Sequence, residues 1–170
     1  MAHPIFVRLE GKDVLVVGAG PVAREKAARL AGAGAIVRHV APEVNRAFRD
    51  EDVDGAWLVV AAAPPDVNRR VRAAADARRV FTIAVDDVAS CSAFGAAELE
   101  RGGITVAISS DGRAPALVAL LRRALEAVLP DDVGRWREIA ERARAEHREA
   151  GMPMNARRAL LLRALLEEAS

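Results

Sequence analysis

The chain has 170 residues, 52% of them hydrophobic, and a net charge of +1 from 25 Lys and Arg against 24 Asp and Glu. That length favours one domain or a domain with a small appendage, and the apolar fraction excludes a disordered chain. The near-neutral balance provides no strong field toward nucleic acid or a membrane surface, so neither is an expected partner.

In chain order, Val14–Val17 is a short apolar run that reads as a strand buried on both faces of a parallel sheet. Gly18–Gly20 makes a turn, and Pro21 suits the first position of a helix, where its missing N–H costs nothing. That helix is expected to reach about Ala33, burying Val22, Ala23, Ala27, Leu30 and Ala31, with Gly34 as its C-terminal cap. Ala35–Val40 is the second strand, Val44–Asp54 a polar and partly helical stretch, and Trp57–Ala62 the third strand. Pro64-Pro65 starts a helix over Asp66–Arg78, and Phe81–Val85 is the fourth strand. Alternating strands and helices imply a parallel sheet with right-handed crossovers.

The pattern then changes. Ala93–Glu98 and Ile104–Ser109 flank Arg101-Gly102-Gly103 and read as a hairpin-like strand pair. Helices are expected over Pro115–Leu129, over Gly134–Ala150 with a stripe of Trp136, Ile139, Ala140 and Ala143, and after Asn155 as N-cap through Leu160–Leu166. The expected fold class is α/β: a Rossmann-type parallel sheet, then a strand pair, then a C-terminal helical region. A boundary near Asp111 would divide a nucleotide-binding half, 1–111, from a half suited to helical packing or dimer formation, 112–170. The single cysteine, Cys91, precludes an internal disulfide and fits a reducing compartment. The opening MAHPIFVRLEGKDVLVV lacks the order of a signal peptide, and no apolar run reaches the ~18 residues of a membrane span. A cytoplasmic location is therefore expected.

Gly18-Ala19-Gly20-Pro21-Val22-Ala23 is a G-x-G-x-x-A turn between a strand and a helix, with a second strand beyond. Gly18 permits the tight turn, Gly20 lets the backbone approach a pyrophosphate, and Ala23 lets the helix close on the strand. The helix N-terminus offers free amides and a positive dipole end to phosphates. An acidic residue for the ribose is expected ~20 residues on, and Glu43 lies a little beyond that. Arg38 and His39 lie nearby and could instead meet a 2′-phosphate, or be solvated strand-end residues. Glu43 makes NAD the expected cofactor. Ligands of such sheets bind beyond the carboxyl ends of the strands. Asp86 and Asp87 follow the fourth strand directly, so a carboxylate there could act as a general base, or the pair could simply cap a turn. Ser109, Ser110, Asp111, Gly112 and Arg113 lead into a helix, in a combination suited to anionic groups or to an ordinary helix start. The three histidines are scattered, and no Cys/His spacing suggests a metal site.

These segments resemble, in order, a known family. IFVRLEGKDVLVVGAGPVAREKAARLAGAGA, APE, WLVVAAAPPDVNRRV, IAVDDVASCSAFGAA and ITVAISSDGRAPALVALLR are similar to the precorrin-2 dehydrogenase and sirohydrochlorin ferrochelatase family, which includes the N-terminal module of siroheme synthase. The resemblance runs from about Pro4 to Leu129, and the last forty residues match only as helical. It implies NAD-dependent oxidation of the tetrapyrrole precorrin-2 to sirohydrochlorin, with iron insertion in some members, and a homodimer formed through the strand pair and following helices. It implies Asp86 as the important aspartate and NAD contacts at Pro21, Val22, Pro42 and Glu43, to which Ala62 after the third strand is added. Ser109 and Ser110 fall on the segment over the substrate, and Arg113 is a candidate for a substrate carboxylate. Ferrous iron would be a second substrate.

The chain departs from the family pattern at Ile83-Ala84-Val85 before the aspartate, at Val88, at Ala63-Pro64 and at Ser110-Asp111-Gly112. No methyltransferase module follows, so precorrin-2 is expected from another protein. Two other readings remain at this point: a nucleotide-binding regulatory module without catalysis, and a relative that keeps only chelation or tetrapyrrole binding.

Overall fold

The computed structural model describes residues 2–168. They form six strands and five helices. β1 is Asp13–Val17, α1 Pro21–Gly32, β2 Ile36–Val40, β3 Leu58–Ala61, α2 Pro65–Ala77 and β4 Phe81–Ala84. After these come β5 (Ala97–Arg101), β6 (Ile104–Ile108), α3 (Pro115–Val128), α4 (Val133–Glu149) and α5 (Met154–Glu168). This is the expected Rossmann-type sheet followed by a strand pair and helices.

The chain divides into two compact units. The first comprises Met1–Gly95 and Ser109–Pro115, and the second Ala96–Ile108 and Ala116–Ser170. The strand pair thus groups with the C-terminal helices, and Asp111 falls in the returning segment of the first unit.

In the first unit four parallel strands lie in the order β2-β1-β3-β4. Their register aligns Val40, Val17, Ala61 and Ala84, so the four carboxyl ends form one row. Alternation along β1 sorts the core. Leu15 and Val17 join Val59, Ala61, Val71 and Ala75 on one face, while Val16 meets Ala23 and Val60 on the other. Such burial on both faces is what a continuous apolar strand requires. α1 ends as expected: Gly34 has φ +83, its N–H reaches Ala31 O at 2.9 Å, and Ala35 N–H reaches Leu30 O at 3.1 Å. These two bonds form a Schellman cap. α2 ends in the same way, with Arg79 N–H to Asp76 O at 3.1 Å and Val80 N–H to Ala75 O at 2.9 Å, but the left-handed position is Arg79 at φ +59.

Four elements differ from expectation. α1 buries Ala23 fully and Ala27 and Leu30 in part, but Val22 and Ala31 are exposed. Val44–Asp54 holds only one short 3-10 turn, Asp50–Val53. There Asp52 accepts from the Arg49 amide at 2.8 Å and from both terminal nitrogens of Arg46, at 2.9 and 2.5 Å. The first strand of the pair begins at Ala97 rather than Ala93, because the preceding residues bond the outer edge of β4. Ser92 Oγ accepts from Thr82 N–H at 2.8 Å, the Ser92 and Ala93 amides reach Thr82 O, and Cys91 Sγ accepts from Ala84 N–H at 3.2 Å. Finally, α5 begins at Met154, so Asn155 lies inside its first turn rather than at its cap.

In the second unit β5 and β6 pair antiparallel, Arg101 opposite Ile104. The two-residue turn Gly102-Gly103 has φ +55 and +75, as a type I′ hairpin requires. A Cβ at Gly102 would lie 2.3 Å from Gly134 N, so this turn packs directly on the start of α4. α3 presents Leu117, Leu120, Leu121 and Leu125 exposed.

Candidate nucleotide and substrate site

The row of strand ends carries the site. After β1 the glycine turn is held by its surroundings: Gly18 N–H reaches Val40 O at 3.0 Å, and the His39 ring donates through Nε2 to the Gly18 carbonyl. Gly18 has φ +128, and a Cβ there would sit 2.1 Å from the Ala62 carbonyl oxygen. Only glycine lets β1 turn this close to the end of β3. Gly20 is the N-cap of α1 with φ −67, and a Cβ there would meet nothing within 4 Å. Gly20 therefore borders open space in front of the helix N-terminus. The first intrahelical bond is Arg24 N–H to Gly20 O at 3.1 Å, which leaves the Val22 and Ala23 amides ahead of the ladder. Pro21, the first helical residue, has no N–H to offer.

A cavity of about 420 Å³ opens from this turn toward the ends of β2 and β3. Its wall includes Gly18, Gly20, Pro42, Glu43, Ala62 and Phe48. Open space at Gly20, unladdered amides, a carboxylate at Glu43 and an apolar wall together fit a dinucleotide. Of the expected contact residues, Gly18, Gly20, Pro42, Glu43 and Ala62 line this cavity, while Pro21 and Val22 begin the adjoining helix. Ala23 is fully buried against Val16 and Val60. It serves the motif by letting the helix close on the sheet, not by touching a ligand.

Asp86 follows β4, two strands from the glycine turn and so roughly 10 Å along the row. It is exposed, adopts φ +55, and its carboxylate has no hydrogen bond or ion pair among the described residues. Aspartate tolerates this left-handed conformation better than most residues, and such strain concentrates at functional positions. Its neighbour Asp87 is used structurally, accepting from the Ser90 amide at 3.3 Å. The Ser109–Pro115 segment returns to the same unit, and a Cβ at Gly112 would lie 2.8 Å from the Val88 side chain. The structure thus brings Ser109, Ser110 and Arg113 to the turn that bears Asp86. Ser109 Oγ accepts from the Asp111 amide at 3.1 Å and Ser110 Oγ from Ala114 at 2.9 Å, so each hydroxyl proton stays available to an acceptor. Asp111 and Gly112 have φ +53 and +75. An aspartate therefore occupies a left-handed turn position that glycine would adopt without strain. Arg113 is exposed.

Sequence reasoning missed four residues of this region. Asn68 is 1% exposed and accepts from the Ala63 amide at 3.1 Å, fixing the loop after β3. Its signal was an amide on the same helical face as Val71 and Ala75. Phe48 and Arg70 also line the cavity, with the guanidinium 5.6 Å from the ring centroid, a pairing across 22 positions that no local pattern reveals. Arg24 curls back to donate to Ala19 O at 2.5 Å. Arg38, by contrast, donates to Asp54 O at 3.0 Å and lies 3.7 Å from Asp13, away from the turn.

A family model described as "Putative NAD(P)-binding" matches residues 5–97, and one described as "Sirohaem biosynthesis protein central" matches residues 101–127. The siroheme synthase of Photorhabdus laumondii subsp. laumondii is 38% identical over 91% of this chain, and that of Photobacterium profundum 40% identical over 91%. The chain spans 37% of the length of each of these relatives. Among solved structures, SirC, a precorrin-2 dehydrogenase, superposes with a TM-score of 0.65 over 95% of this chain and 88% of its own, at 18% identity, a likeness of fold.

Proposed function

The chain belongs to the family described as putative NAD(P)-binding and is similar to siroheme synthases, and from this we propose that it oxidises precorrin-2 to sirohydrochlorin with NAD in the cytoplasm. The observation that carries the reading is the row of strand ends, with a nucleotide cradle at β1 and an unengaged carboxylate after β4.

Bound there, NAD supplies a hydride acceptor. The chain's own residues do the rest. The Gly20 and Val22 amides, at the positive end of α1, hold the pyrophosphate. Glu43 accepts hydrogen bonds from the adenosine ribose, and Phe48 and Ala62 line the apolar wall. Asp86 takes the proton that the tetrapyrrole loses, an exposed carboxylate at the mouth of the crevice being placed for that transfer. The Ser109 and Ser110 hydroxyls and the Arg113 guanidinium bind the substrate's carboxylates. Asp111 lies among them and opposes an anion. The segment therefore selects how those carboxylates are placed.

Ferrous iron enters as the substrate of a second step, in which Asp86 receives protons from the ring nitrogens. The protein acts as a homodimer, associating through the open strand pair β5–β6 and the exposed leucines of α3.

The test is anaerobic incubation with precorrin-2 and NAD, followed by the tetrapyrrole absorbance, with ferrous iron added afterwards. NAD-dependent oxidation is the expected result, and protein-accelerated metal insertion would add the second step. Nucleotide binding with neither reaction would reject the catalytic reading. Light scattering should return twice the mass of the 18.1 kDa chain, and a monomer would reject the dimer.

A further inference from the structure

Beside Glu43 lies a second cavity, of about 500 Å³, walled by Ala19, Gly20, Arg24, His39, Glu43 and Val44. It adjoins the nucleotide cavity through Ala19, Gly20 and Glu43. From the geometry we infer that this is a 2′-phosphate subsite and that the chain takes NADP as well as NAD. The inference rests on the nucleotide reading above and deepens it.

Three observations carry it. The first is placement. If Glu43 accepts from the ribose hydroxyls, a group on the 2′ oxygen emerges beside Glu43, between the glycine turn and the end of β2, which is where this cavity lies. The second is charge. Arg24 has no carboxylate within ion-pair distance among the described residues, and Glu43 likewise has no cation. The guanidinium and the carboxylate therefore share one cavity without neutralising each other. Arg24 is anchored by its bond to Ala19 O, which leaves its other donors for a ligand, and a guanidinium matches phosphate oxygens in a planar fork. The third is the imidazole. Its Nε2–H is spent on the Gly18 carbonyl, which fixes the ring as part of the wall. Arg38 makes no such contribution, being held by Asp13 and the Asp54 carbonyl.

The cavity therefore offers a carboxylate to a ribose hydroxyl and a guanidinium to a phosphate, and each cofactor uses one of them.

Isothermal titration with NAD and with NADP, on the full chain, tests this. Wild-type protein should bind NADP within about tenfold of NAD. Arg24→Ala should raise the NADP-to-NAD ratio of Kd values by about tenfold, and Glu43→Gln should lower it by a similar factor, with Arg24→Lys restoring part of the loss. NAD binding with NADP more than about a hundredfold weaker would overturn the subsite alone. Equal weakening of both cofactors by Arg24→Ala would also overturn it, since Arg24 would then act only through the Ala19 carbonyl. Binding of neither cofactor would remove the nucleotide reading together with the subsite.

Discussion

The two glycines of the turn should fail in opposite ways when each is replaced by alanine. At Gly18 the new Cβ would lie 2.1 Å from Ala62 O and 2.6 Å from its carbonyl carbon, and the backbone sits at φ +128. The obstacle is β3 backbone, which cannot rotate away as a side chain would. Strain of this backbone class costs ~1–3 kcal/mol and overpacking a further ~1–3 kcal/mol, so a loss of about 3–5 kcal/mol is expected. At ~2–4 °C per kcal/mol for a chain of this size, Tm should fall by roughly 10 °C or more. Gly20 has an ordinary φ of −67 and open space around its Cβ. Gly20→Ala should cost no more than about 1 kcal/mol, the usual loss at an N-cap. It should nevertheless weaken NAD by about tenfold or more, because the methyl occupies the approach of the pyrophosphate. Thermal unfolding and NAD titration on both variants separate the effects. Equal stabilities would refute the close approach of Gly18 to β3, and wild-type NAD affinity in Gly20→Ala would refute the placement of the pyrophosphate.

Asp86→Ala should cut turnover of precorrin-2 by about 10²–10⁴-fold with NAD affinity nearly unchanged, and turnover within threefold of wild type would remove Asp86 as the base. Arg79→Gly relieves a left-handed arginine at the C-terminal cap of α2 and should stabilise by about 0.5–1 kcal/mol, read as a rise in Tm; no change or a fall would mean that Arg79 is unstrained. Hydrogen bonds from Arg46 lower the pKa of Asp52, against the opposing effect of burial and with help from the Arg49 amide. A lowered folded-state value means that the stabilisation is present above the unfolded carboxylate value of about 4 and is lost as pH falls through the folded value. Asp52→Asn should therefore show a lower urea midpoint than wild type at pH 7, and the gap should close toward pH 3. A gap independent of pH would exclude the ion pair as its cause.

Much of the first unit could be read from local pattern alone. The β1–turn–α1–β2 stretch was legible because each boundary has a local chemical cause: an apolar run, two glycines, a proline at the first helical position and Gly34 at the cap. The type I′ turn was marked by Gly102-Gly103, but the start of β5 was not. Ala93 reads as the start of that strand, and only the edge of β4 decides that residues 91–93 bond there instead. The polar stretch 44–54 looked partly helical because its charges suit a solvated helix. Instead they fold onto one buried carboxylate, Asp52. Among the candidate site residues, Gly20 and Asp86 stand out in the sequence because position relative to a strand end has chemical meaning. Asn68, Phe48, Arg70 and Arg24 reach their places through tertiary contacts between elements, which periodicity does not encode.

The bonds from Cys91 and Ser92 to β4 also bear on self-association. An outer strand with free N–H and C=O groups is a template on which a second chain can extend a sheet, and such growth leads to aggregation. On β4 the Thr82 and Ala84 amides are already taken by a hydroxyl and a thiol, and the Thr82 carbonyl by two amides of the same loop. The sheet is thus blunted by side chains and amides of a loop rather than by a fifth strand. The residues that blunt it lie within seven positions of Asp86, so the piece of chain that follows this carboxylate also keeps neighbouring molecules from stacking onto that side of the sheet.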